Sequence, residues 1–177
     1  PDDAFIAGDH VGDDPAIAYN SKQDQYLLVW DYGNFWYWNR LLIQRLAKDG
    51  EPVGEILVID PDELLDESWT NADVVYSAPA DRYVVFCLWS PGYERFYLKV
   101  YQVDASGNVG GERIYGRGIG SPPRPYAPYL ACSDEAGCVL VWQEGIWWQD
   151  DYDIWGSIYL PSTPAITATP SPTPSST

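Results

Sequence analysis

Pro15-Ala16-Ile17-Ala18-Tyr19-Asn20, a polar turn, and then Tyr26-Leu27-Leu28-Val29-Trp30 form the stretch on which the fold turns. It returns twice in altered form. Ala72-Asp73-Val74-Val75-Tyr76-Ser77 leads through a turn to Val84-Val85-Phe86-Cys87-Leu88-Trp89. Pro128-Tyr129-Leu130-Ala131-Cys132 leads to Cys138-Val139-Leu140-Val141-Trp142. Short runs of β-branched and aromatic residues bounded by Gly, Asp, Asn and Pro read as antiparallel strands joined by turns. With Trp30, Trp89 and Trp142 taken as equivalent, the repeat lengths are 59 and 53 residues.

A third β-rich run follows in each repeat, at residues 41–46, 96–103 and 154–160. In the first two repeats a glycine-containing turn and a fourth short strand come next, at 55–59 and 112–115. Four short strands per repeat of this length make one blade of a β-propeller. The expected fold is therefore all-β, with three four-stranded antiparallel blade-like repeats at about 15–60, 72–116 and 125–160 of a domain spanning 1–160. The third repeat shows no fourth strand. Ala4-Phe5-Ile6-Ala7 is an extra strand without a blade, so Phe5 and Ile6 are candidates for donation to a neighbouring copy.

The pattern Pro-x-Ile-Ala-Tyr-Asn, turn, Tyr-Leu-Leu-Val-Trp, and then Gln44-Arg45 before Asp49-Gly50 resembles the tandem β-propeller repeats of large bacterial surface proteins. The likeness covers 15–160 and is clearest in the first repeat. It implies a propeller-type fold and an extracellular setting, with no particular activity.

Nine Trp and fourteen Tyr stand against one His and no Met in the 177 residues. A first residue Pro1 with no Met leads to the expectation that an upstream segment has been removed. The formal charge of −16 argues against nucleic acid and anionic lipid, both of which bind through Lys and Arg. No apolar run is long enough to insert as a membrane helix. Residues 161–177 are almost entirely Pro, Ser, Thr and Ala, the composition of an extended, solvent-exposed linker or tail. Ser162, Thr163, Thr167, Thr169, Ser171, Thr173, Ser175, Ser176 and Thr177 are its candidate O-glycosylation sites.

Cys132 and Cys138 flank a five-residue turn, without the spacing or histidines of a zinc site. A disulfide across this hairpin, with Cα atoms about 4.4–6.8 Å apart, is expected, and with it an oxidising compartment. Cys87 reads as a small core residue. His10 has no nucleophile pattern beside it, and no catalytic residue, cofactor site or metal site is assigned. The acidic groups Asp13 and Asp14, Asp60, Asp62 and Glu63, and Asp150, Asp151 and Asp153 are solvated turn charge or, alternatively, Ca²⁺ ligands or paired glycosidase carboxylates.

Aromatic residues in the loops between second and third strands are the functional candidates: Trp36 and Trp38, Tyr93, and Trp147 and Trp148. They should gather at one face, as core, as a subunit interface, or as a sugar-stacking platform. The reading is a non-enzymatic structural subunit of an extracellular, glycosylated assembly such as a filament or surface layer, with copies of itself and glycans as partners. A lectin-like surface module is the alternative, and a glycoside hydrolase fragment the third.

Overall fold

A computed structural model describes residues 12–34, 37–59, 68–90, 96–115, 124–135, 137–146 and 151–161. Every regular element among them is a strand, and three antiparallel sheets follow one another along the chain. Sheet A runs in the order β1 (Gly12–Asn20), β2 (Gln25–Asn34), β3 (Tyr37–Ala47), β4 (Pro52–Val58). Sheet B repeats the meander with β5 (Ser68–Ser77), β6 (Arg82–Ser90), β7 (Tyr97–Val103) and β8 (Val109–Tyr115). Sheet C holds three strands among the described residues, β9 (Arg124–Ser133), β10 (Gly137–Ile146) and β11 (Asp151–Tyr159). The strand donor at residues 4–7, the tail from Ser162 onward and His10 lie outside the described residues.

The three sheets stack face on face, because alternate residues of each strand point to opposite sides. Between sheets A and B, Leu27, Val29, Leu41 and Ile43 meet Tyr83, Val85, Tyr101 and Val103. Between B and C, Val84, Phe86, Leu98 and Val100 meet Leu130, Leu140, Trp142 and Tyr159. Sheet B is thus buried on both faces, which is why β6 reads as an unbroken apolar run rather than an alternation. Cys87 lies buried within the first of these layers, outside the disulfide, and its thiol donates to the Lys99 carbonyl at 3.6 Å.

Polar contacts tie the sheets where apolar packing ends. Gln25 Nε2 and an Arg45 guanidinium nitrogen both donate to the Ala105 carbonyl, at 2.9 and 3.0 Å. The Tyr83 hydroxyl donates to the Gln25 carbonyl at 3.3 Å, and burial pushes its pKa up to about 12. Gln102 Nε2 donates to the Tyr159 hydroxyl at 2.7 Å, linking B to C.

Strand register gives the true phase of the repeat and corrects the tryptophan alignment. Ala16↔Val29, Asp73↔Phe86 and Tyr129↔Val141 are matching pairs, and each is followed on its second strand by a residue that the register skips. Those skipped residues are Trp30, Cys87 and Trp142. Trp89 is not their counterpart; paired with Trp69, it corresponds to Tyr32 paired with Gly12. The tryptophan of the second repeat has moved two places along its strand, and Cys87 fills the vacated core position. Backbone conformation confirms the phase: positive φ recurs at Asp14, Asn71 and Ala127, at Gly50 and Gly107, and at Gly54 and Gly111.

The same register explains the hairpin disulfide. Tyr19↔Tyr26 and Tyr76↔Tyr83 are cross-strand pairs at the ends of the first hairpins of A and B, with ring centroids 5.0 and 5.4 Å apart. Cys132↔Cys138 occupies that place in C, and the two are bonded. The two residues sit directly opposite one another, with Cα atoms 3.9 Å apart, closer than the bridging span expected from sequence.

Candidate functional site

β1, β5 and β9, the first strands of the three sheets, lie side by side and form the inner wall of the arc. Each is broken near its start by a β-bulge, between Asp13 and Ala16, between Thr70 and Asp73, and at Tyr126–Tyr129. A bulge places one residue outside the ladder and re-aims its neighbours. In all three strands that residue has a left-handed backbone: Asp14 at φ 48°, Asn71 at φ 50° and Ala127 at φ 46°. Asp and Asn tolerate this conformation through local hydrogen bonding, whereas Ala127 holds it at a cost of about 1 kcal/mol. Strain repeated at one level of three strands marks a place where backbone geometry has been shaped.

At that level a cavity of about 240 Å³ opens. Each inner strand contributes one triplet to its lining: Asp14-Pro15-Ala16, Asn71-Ala72-Asp73 and Ala127-Pro128-Tyr129. The volume is below the roughly 300–1,000 Å³ of pockets for drug-sized ligands and suits a smaller molecule. Small apolar residues and two prolines form much of the lining, and the polar groups are few: two carboxylates, one amide and one phenol. Tyr129 is 62% exposed, so its ring is available to a ligand.

Asp73 is the most constrained of these groups. Its Oδ1 accepts the Val74 N–H at 2.9 Å, and its Oδ2 accepts the Leu130 N–H at 2.8 Å, joining the second inner strand to the third. Burial raises its pKa, and the two backbone donors oppose the rise without cancelling it. Further lone pairs on the carboxylate remain for a ligand hydroxyl.

Antiparallel pairing puts Asn34, Ser90 and Ile146, the last residues of the second strands, at the same end of the sheets as this cavity. Trp38 lies in β3 just past the first of them, one strand later than a pure loop position. Trp36, Tyr93, Trp147 and Trp148 lie outside the described residues. On β6 the Trp89 ring packs against Tyr97 at 5.2 Å and carries the Lys99 ammonium 3.7 Å above it. Asp60, Asp62, Glu63 and Asp150 also lie outside, while Asp153 is exposed on β11. Among the described residues no group of three metal-ligating side chains comes together.

Sequence reasoning named Asp14 as a turn charge, a Ca²⁺ ligand or one of a pair of glycosidase carboxylates, and it missed Asn71, Asp73 and Tyr129 as a site. The available signal was their place at the head of each repeat: aligned first strands bring their heads to one axis.

No family model matches the chain, and no curated protein matches it. Among solved structures it is similar to a thermostable family-43 glycoside hydrolase, with a TM-score of 0.52 and 13% identity over 94% of this chain. The match spans 62% of that protein's length. That family has a five-bladed propeller fold, so a share near three blades in five agrees with the three sheets seen here. At this identity the likeness shows the fold alone: an all-β, propeller-type stack of antiparallel blades.

Proposed function

We propose that this chain is an extracellular carbohydrate-binding module, and that the cavity at the head of the inner strands holds one neutral sugar residue. The observation that carries the reading is the cavity's lining, an exposed Tyr129 ring beside the Asp14, Asn71 and Asp73 side chains. An aromatic face stacks on the C–H face of a sugar, while carboxylates and an amide take its hydroxyls. Two carboxylates in the cavity and a formal charge of −16 select against uronic acids and other anions. A fold shared with a protein named as a glycoside hydrolase is compatible with carbohydrate binding. The Cys132–Cys138 disulfide fits export to an oxidising compartment. Among the described residues no helix is long and apolar enough to cross a membrane.

The test is a panel of neutral and acidic oligosaccharides, followed by calorimetry on the best ligand with wild type and Tyr129→Ala. Loss of one stacking contact, about 0.5–1.5 kcal/mol, should weaken binding about two- to tenfold. No binding across the panel, or unchanged affinity in the variant, would overturn the reading. Release of reducing sugar would assign the site to hydrolysis instead.

A further inference from the structure

The three inner-strand bulges share a backbone path but not a chemistry. In each, two residues of the first strand stand opposite one residue of the second. Asp14 and Pro15 face Trp30, Asn71 and Ala72 face Cys87, and Ala127 and Pro128 face Trp142 across the ladder. The first residue of each pair is left-handed. Asp14 and Asn71 are types that accept this backbone, because a short polar side chain hydrogen-bonds locally. Ala127 has neither such a group nor the freedom of a glycine. The proline that follows, shared with the first bulge, biases it further toward extended backbone. The third bulge is thus the one whose sequence opposes its own conformation.

A second anomaly lies directly across the ladder. Trp142 is only 8% exposed, with its ring edge-on to Phe86 at a centroid distance of 6.2 Å. Its indole N–H is buried without an acceptor. A buried donor left unpaired carries the full penalty of losing its water. The counterpart in the second blade is met, since the Cys87 thiol donates to the Lys99 carbonyl. Strain and an orphaned donor therefore coincide on one rung of the third blade. The strand beyond this rung is pinned: Tyr129 pairs with Val141, and the Leu130 N–H donates to Asp73 of the neighbouring blade at 2.8 Å. That leaves the peptide between Tyr126 and Ala127 as the part that can turn.

We infer that the third bulge is a two-state element. In its second state this peptide is turned over, Ala127 is extended, and the Tyr126 carbonyl accepts the Trp142 indole N–H. One rotation relieves both anomalies, at the expense of the ladder around Tyr126 and Gln143. Each state leaves something unsatisfied, so the two lie close in free energy and both are populated. Ala127 and Pro128 line the cavity, so the turn reshapes its wall beside Tyr129. A ligand that fits one of the two shapes better selects it. The switch does not depend on what the cavity holds.

The test is relaxation dispersion of backbone and indole N–H groups, measured on the full chain without ligand. Ala127, Tyr129 and the Trp142 indole should show microsecond-to-millisecond exchange with one shared rate, while Asp14 and Asn71 should not. Ala127→Gly, which takes the left-handed backbone without strain, should lower the population of the second state about fivefold. Trp142→Phe keeps a ring against Phe86, removes the donor, and should lower that population as well. Flat profiles at Ala127, Tyr129 and the Trp142 indole would overturn the switch. So would equal exchange at all three bulges, or exchange at the third that either substitution leaves unchanged. None of these outcomes hinges on the sugar panel.

Discussion

Three aspartates show how the same side chain acts with opposite sign in different surroundings. Asp104 opens the β7–β8 turn, where Oδ1 accepts the Ser106 and Asn108 N–H groups at 2.8 and 2.9 Å. Its Oδ2 accepts the Asn108 amide at 2.9 Å and lies 3.4 Å from Arg82. Burial works against its ionisation, but these donors outweigh burial and hold its pKa below the ordinary 3.8. The Tyr19 hydroxyl, and after it Lys48, likewise lowers Asp24. Stability from both is present above the ordinary aspartate value and is lost as pH falls through their lowered values. Asp73, raised by burial, acts the other way: its contribution is present at acid pH and is lost as pH rises through its elevated value. Asp104→Ala should therefore lose about 1–2 kcal/mol at pH 7. Its unfolding free energy should also fall less steeply than that of wild type between pH 5 and about 2, as read by urea titration.

At the scale of the element, the first hairpin of each blade is closed by a different chemistry at one shared position. Blades A and B use tyrosine pairs, each with its first hydroxyl donating to an aspartate five residues on. Blade C uses the Cys132–Cys138 bond. A disulfide spanning so short a loop restricts the unfolded chain modestly, so Cys132→Ser/Cys138→Ser should cost about 2 kcal/mol in thermal or urea unfolding. The double variant should keep the fold, because Leu140 and Trp142 still anchor β10. Strand count, antiparallel order and this bond were legible in the sequence, because period-2 alternation and turn residues are local signals. The repeat phase was not, since tryptophan was used as the marker while the core position in blade B had passed to Cys87. Left-handed glycines at Gly50 and Gly107, a backbone requirement rather than a packing choice, keep the phase that side chains lost.

For the whole molecule, sheet stacking turns three weakly related sequences into one wall of inner strands. That wall is what creates a site. Asp14, Asn71, Asp73 and Tyr129 are spread over more than a hundred residues and share no local motif, so only the register of the blades brings them together. The aromatic loops drew attention in the sequence because they are rich in Trp and Tyr. The cavity is lined by small and polar residues that composition does not flag. Carbohydrate seated in this cavity would be visible in backbone amide chemical-shift mapping. With the best-binding neutral oligosaccharide titrated in, the largest shifts should fall on Asp14, Ala16, Asn71, Asp73, Ala127 and Tyr129. Shifts confined instead to the exposed face of sheet C around Val139 and Ile158, with these six unmoved, would contradict it.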